Sequence, residues 1–272
     1  MKKMTMIAGA LSLALMSVTA QAHNGEMCDY QLDYDLTVED SAITFAQDSG
    51  TEITINQDNQ LYVNGSEKSL NGEQQALIDN YADGIRDLIP EVTAIALEGI
   101  NLGVQAASMA IGTLLGEGDP DFESFSFKIN ELADNIKMKL ETDNFSSKRL
   151  EYAFENEFEQ QIESIVEEAV TDLTPRLMAK VLTAALSGDE GGISDLEMRA
   201  ESIEDEIENF IEPKAEALEA RAEELCGSVD TLDALETKMV DSGLEMMDLI
   251  EKGNSSDGHK SKGKRFNFDL GD

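Results

Sequence analysis

The sequence predicts an α+β fold: a small N-terminal antiparallel β-meander packed on a mainly α, long-helix bundle. Apolar residues alternate with period two before Leu70 and recur every three or four residues after Asn71. The first period belongs to half-buried strands and the second to amphipathic helices. A meander of this size is not stable alone, so its apolar face needs a helical layer over it.

Residues 1–22 stand outside that fold. Lys2 and Lys3, the apolar run from Ile7 to Val18, and Ala20-Gln-Ala22 before His23 follow the basic, apolar and small-residue plan of a secretory signal peptide. The run is shorter than the ~20 residues of a transmembrane helix. No Cys stands directly after the expected cleavage point, which argues against a lipid anchor. A periplasmic location is therefore expected, with secretion as the alternative. The remaining chain divides into a single α+β domain over 23–252, with strands over about 28–70 and helices over about 72–252, and a disordered tail over 253–272.

From Cys28 to Leu36 the alternation is strict. Cys28, Tyr30, Leu32, Tyr34 and Leu36 share one face, and Asp29, Gln31, Asp33 and Asp35 the other, which predicts one half-buried strand. Two short β-runs follow, Ile43 to Ala46 and Glu52 to Asn56, and then Leu61-Tyr62-Val63 before the turn Asn64-Gly65. β-formers punctuated by Asn, Asp and Gly predict a meander of three or four strands.

At Asn71 the period changes. Asn71 with Gln74 forms a capping box, and Ile78, Tyr81, Ile85 and Leu88 repeat at helical spacing up to Pro90. A second helix carries Phe122, Phe125, Ile129, Leu132, Ile136 and Leu140 on one stripe, and a third begins near Ser146 and meets Pro175, which is expected to kink or interrupt it. Ser187 to Gly192 is expected to be a loop. The last runs, through Ile193, Leu196, Ile203 and Ile207 and then Leu218, Leu225, Val229, Leu232 and Met239, have the mixed three-and-four spacing of coiled-coil or bundle packing. From Gly253 almost nothing is apolar until Phe266, the composition of a disordered segment.

The stretch from Ala94 to Leu115 carries one charge in 22 residues. Its polar positions, Glu98, Asn101, Gln105 and Ser108, line up along one side of a helix, and Gly99, Gly103 and Ala107 form a second stripe of minimal side chains where another helix can approach. Glycine costs up to ~1 kcal/mol against alanine inside a helix. Two of them suggest contacts that offset the cost. A membrane span would place Glu98 in hydrocarbon at roughly 2.5 to 3.5 kcal/mol, so a central bundle helix is the preferred reading, ahead of a helix-helix dimer face and of membrane insertion.

Charge and cysteine usage narrow the classes further. The exported part carries 18 basic against 56 acidic residues, a net charge of -38. Such a surface repels nucleic acid, which requires clustered Lys and Arg. It keeps a chain soluble, fits a salty habitat, and could bind divalent cations weakly. Cys28 and Cys226, an even pair in an exported chain, read as a disulfide. Closing a loop of about 199 residues corresponds to roughly 5 kcal/mol in the chain-entropy model.

Asp58-Asn-Gln-Leu-Tyr-Val-Asn64-Gly65, followed by Leu70, Asn71, Gln74, Tyr81, Arg86 and Pro90 at these spacings, resembles the YggN-like family of bacterial periplasmic proteins, a domain of unknown function. The resemblance implies export and this overall plan, and no activity. Tyr81 and Arg86 read more simply as a packed ring and a surface ion pair than as a ligand site. Asn64-Gly65 reads as turn chemistry.

No catalytic, cofactor or metal motif stands out. His23 at the expected new terminus resembles half of a copper site, but the only other histidine, His259, lies in the tail. Carboxylate pairs such as Glu167-Glu168 and Glu223-Glu224 lack the aromatic platforms of a glycosidase cleft, since the chain has no Trp. Asp58 to Gly65 lacks the alternate carboxylates of a calcium loop. Lys260, Lys262, Lys264 and Arg265 read as a solubilising cluster more readily than a docking site. The expectation is an exported envelope protein that binds a protein or apolar partner, or its own copies, through long amphipathic helices. A hydrolase with acid and base carboxylates in a cleft, or a low-affinity divalent cation binder, is the alternative.

Overall fold

The computed structural model describes residues 30–115, 118–142, 144–187, 190–252 and 264–265. Its main sheet has six antiparallel strands: β2 (Asp35–Glu39), β3 (Ala42–Ala46), β4 (Glu52–Asn56), β5 (Leu61–Val63), β6 (Ser66–Glu67) and β7 (Phe145–Ser146), in the spatial order β6-β5-β4-β3-β2-β7. Leu36, Val38, Ile43, Phe45, Ile53, Ile55 and Leu61 point from one face into the interior, all under a tenth exposed, as period two requires. At the β5–β6 turn Asn64 has φ 51° and Gly65 φ 73°, the pair of positive values that a tight primed turn needs. The Asn64 side chain also accepts from the Glu52 amide at 2.9 Å.

The single strand expected from Cys28 to Leu36 is two. β1 (Tyr30–Leu32) ends at a bend over Asp33 and Tyr34, after which the chain enters β2. β1 leaves the meander for a second sheet of order β8-β1-β9, between β8 (Ile250–Lys252) and β9 (Lys264–Arg265). Alternation fixes which face a residue occupies but not which strand it pairs with, so the bend leaves the pattern intact. The tail lies largely outside the described residues, but Lys264 and Arg265 pair with Leu32 and Gln31 and are not structureless.

The helices are α1 (Gly72–Leu115), α2 (Pro120–Leu140), α3 (Ser147–Glu151), α4 (Glu159–Ser187), α5 (Glu190–Glu206) and α6 (Glu212–Asp241). π-helical turns over Tyr152–Phe158 and Ile207–Ile211 join α3 to α4 and α5 to α6. The expected capping box starts α1: Asn71 Oδ1 accepts from the Glu73 and Gln74 amides, and Gln74 Oε1 accepts from the Asn71 amide. Asp119 and Ser146 cap α2 and α3 more simply, their side chains accepting from the Asp121 and Arg149 amides.

Four helix boundaries differ from expectation. α1 does not stop at Pro90 but runs 44 residues, about 66 Å at 1.5 Å per residue. Pro90 stands on the exposed side, where water can take the place of the amide that the Arg86 carbonyl loses. α4 likewise continues through Pro175, and Glu190–Gly192, expected in a loop, already belong to α5. The last helix ends at Asp241 rather than near 252. Gly243 adopts φ 99°, its amide reaches Val240 O and the Leu244 amide reaches Met239 O, a Schellman stop. A strap from Leu244 to Lys252 then returns to β1.

Three apolar clusters divide the length of α1. The sheet, the first turns of α1, the last turns of α6 and the strap enclose the first, around Phe45, Tyr81, Leu232 and Met247. Val92, Ile95 and Ala96 meet Leu218 and Leu225 of α6 in the middle. Ile100, Val104 and Ile111 meet Phe125, Ile129, Leu132 and Ile136 of α2 at the far end. The weakly charged stretch is thus the second half of α1. The helix is long and apolar enough to cross a membrane by length and composition, but its polar stripe engages its neighbours: Glu98 pairs with Arg221, Gln105 accepts from Lys214 at 2.6 Å, and Thr113 donates to Glu206 at 3.1 Å.

Candidate functional site

The most unusual chemistry in the molecule is a carboxylate sealed inside the first cluster. Glu236 lies on α6 in step with Leu225, Val229, Leu232 and Met239, a four-three spacing that aims every one of them at the core. It is 1 % exposed. Tyr81 of α1, wholly buried, donates its hydroxyl to Glu236 Oε1 at 2.5 Å. The Leu249 and Ile250 amides of the strap both donate to Oε2 at 2.8 Å. One side chain therefore ties together α6, α1 and the start of β8.

Burial raises the Glu236 carboxyl to about 7, against the pull of its three donors. The nearby Asp233 charge adds to the rise. Tyr81 is pushed well up by burial and by the Glu236 charge beside it, and Tyr34 is raised by burial and by Asp33, Asp248 and Glu236. A carboxyl that titrates near neutrality is the signature of an acid-base catalyst when it lines a cleft. Here apolar side chains close over it, so it cannot reach a substrate, and the geometry describes a structural knot.

The residues singled out in the sequence gather around this knot. Leu70 packs against the first cluster. Gln74, beyond its capping role, donates Nε2 to Ser242 O at 2.9 Å and so fastens the start of α1 to the end of α6. Arg86 donates to Asn59 Oδ1 at 3.2 Å and lies 3.5 Å from Asp83. Gln75 donates to Asn59 O at 3.0 Å, which clamps the β4–β5 turn onto α1. Asn64, Gly65, Asn71 and Pro90 shape backbone, as described above.

The small-residue stripe behaves differently. A Cβ at Gly99 would sit 3.7 Å from Leu218, an ordinary contact, Gly103 has nothing within 4 Å, and Ala107 packs against the far-end cluster that α1 shares with α2. The close approach is at Gly84, where an added Cβ would meet Leu232 Cδ2 at 2.8 Å. Glu98 serves a bridge in which Arg221 also holds Glu91 at 2.8 Å.

Cys28, His23, His259, Lys260 and Lys262 lie outside the described residues. Cys226 is half-buried on α6, one helical turn before Asp230. Asp230 accepts from the Tyr30 hydroxyl and lies 3.3 Å from Lys252 Nζ. Among the described residues no group of three or more His, Cys, Asp or Glu side chains is placed to hold a metal ion. A small recess beside Thr93 and Thr142 contains two cations already engaged, Lys139 with Glu157 and Arg149 with Thr142 Oγ1 and Asn144 O.

Sequence reasoning missed Glu236 and Gly84. A signal existed for the first, since a lone carboxylate on the apolar four-three stripe of α6 has to be either solvated by distortion or satisfied inside. None existed for the second, whose partner is 148 residues away in sequence.

A family model described as a protein of unknown function (DUF2884) matches residues 28–249. No curated protein and no solved structure matches the chain.

Proposed function

The chain belongs to this family of unknown function, and from that premise we propose that it is an exported envelope protein that binds a protein partner through its helices and performs no catalysis. The observation that carries the proposal is the set of large apolar side chains left in solvent on the helical half of the molecule. Phe127 and Met138 on α2, Met178 and Leu182 on α4, Met198 on α5 and Phe210 after it are all between 57 % and 70 % exposed. Single exposed apolar residues need no explanation, but several on neighbouring helices are the mark of an interaction surface. The sheet end has no such exposed set among the described residues, because its apolar face is covered by α1, α6 and the strap.

Export rests on residues 1–22, and the YggN-like resemblance rests on Asp58 to Pro90, which fall inside the matched span. A disulfide between Cys28 and Cys226 belongs to the same proposal. The test is a photoreactive amino acid placed at Phe127, Met138, Leu182 or Met198 in cells, with Asp58 on the sheet as control. A discrete adduct at a helical position, absent at Asp58, is expected. Silence at all four helical positions refutes the reading.

A further inference from the structure

α4 and α5 are joined through residues 188–189 and pack on each other, so they run as an antiparallel hairpin. Met178 is nine residues before the end of α4 and Met198 eight after the start of α5, which sets both about 13 Å from the turn. By the same count Val166 and Phe210 each lie about 30 Å along the chain path from it. Val166, Val170, Met178, Leu182, Met198 and Phe210 are exposed between 37 % and 61 %. They span roughly 24 Å of hairpin, the length of a helix of about 16 residues.

The charge around them is one-sided. Residues 159–211 hold 14 acidic side chains against three basic ones, and Glu163, Glu167, Asp172, Glu201, Glu204 and Glu208 are exposed among the apolar residues. A second copy of this chain would bring the same carboxylates against them. An anionic lipid surface would be repelled in the same way. An apolar ridge set in a field of one sign favours a partner with an apolar stripe flanked by the opposite sign.

We propose that the outer surface of the α4–α5 hairpin is a docking site for a cationic amphipathic helical segment of another protein, of about four turns. This rests on the partner-binding reading and names the surface and the chemistry of the partner. An apolar stripe on the incoming helix covers the two methionines and Leu182, while its Lys or Arg residues meet the flanking glutamates. Association is fast at low salt and slows as salt screens the field.

The test uses the full exported chain and a fluorescent synthetic helix of about 18 residues built from Leu and Lys with an apolar stripe. Saturable one-to-one binding is expected. M178S/L182S/M198S weakens it about tenfold or more, as loss of a hot spot does, whereas Y152S, at an exposed aromatic on the π-helical turn that joins α3 to α4, leaves it unchanged. These side chains are already in solvent, and circular dichroism checks that both variants stay folded. A Leu/Glu helix of the same length does not bind.

Equal affinity of the two variants overturns the proposal, because attraction would then be to charge anywhere on the molecule. So does self-association in sedimentation, or binding to phosphatidylglycerol vesicles, that the same α4–α5 substitutions abolish. Cellular photo-adducts at Phe127 without any at Met198 overturn the site but leave the partner-binding reading standing. Silence everywhere removes that reading as well.

Discussion

At the scale of single residues, the Glu236 knot makes stability depend on pH in a definite direction. The carboxyl is raised from 4.5 to about 7 in the folded protein, so between those values the folded state binds more protons than the unfolded one. Its contribution is fully present below 4.5 and is lost as pH rises through about 7. A shift of this size corresponds to about 3 kcal/mol. Glu236→Gln keeps an acceptor for the strap amides and can donate to the Tyr81 oxygen, but does not titrate. The unfolding free energy from urea titrations at pH 4.5 to 8 should fall for the natural protein relative to the variant by roughly that amount, and parallel curves would sink the assignment. Tyr34 and Tyr81, the phenols that face the group, are both raised above the ordinary value of 10.0 and stay protonated over this window, so they add no slope of their own. Gly84 gives a second residue-scale prediction. A methyl group there would overlap Leu232, and overpacking of this kind costs about 1 to 3 kcal/mol. Gly84→Ala should therefore lower the melting temperature although alanine is the better helix former, and Gly103→Ala, with open space around it, should raise it.

At the scale of elements, α1 shows what a sequence can and cannot disclose. Its start was legible because Asn71 and Gln74 are local chemistry: the cap needs only residues three apart. Its course through Pro90 was not, because proline propensity speaks for an isolated segment, whereas α1 is held on both sides of Pro90 by Ile85 and Val92 in two different clusters. Tertiary burial overrides one missing hydrogen bond. Pro90→Ala should accordingly stabilise the protein, by up to about 3 kcal/mol if the ring strains the helix as interior prolines do. Thermal unfolding decides it, and a loss of stability would mean that the rigidity proline gives the unfolded chain outweighs the hydrogen bond it forfeits. The strand pairings were half legible. Hairpins β2–β3 and β3–β4 join neighbours in sequence, so turn residues announce them. β7, a two-residue strand between helices that completes the edge beside β2, and β8, which pairs with β1 from the other end of the chain, are set by long-range geometry that no local period records. The end of α6 lay between these cases, since Gly243 is a visible stop signal within a run still apolar enough to read as helix.

At the scale of the whole molecule, the fold closes its two ends on each other, and that closure is the ground for expecting the covalent link. β1 pairs with β8, Tyr30↔Lys252 and Leu32↔Ile250, while the Tyr30 ring carries Lys252 Nζ 5.4 Å from its centroid and bonds Asp230 of α6. Cys28 precedes Tyr30 by two residues in sequence, and Cys226 precedes Asp230 by one helical turn on α6. The Tyr30–Asp230 contact joins the described neighbours of both cysteines, and a disulfide between them is the expectation it supports. The exported protein, unfolded without reductant, should give no free thiol on labelling, and Cys28→Ser with Cys226→Ser should lose up to about 5 kcal/mol, the figure for closing so long a loop. Because the carboxylates repel one another throughout an exported chain with 18 basic against 56 acidic residues, a net charge of -38, the loss should be largest at low salt, where repulsion favours expansion of the unlinked ends. Two reactive thiols in material recovered from the periplasm would show that backbone pairing and the Glu236 knot alone hold the ends together.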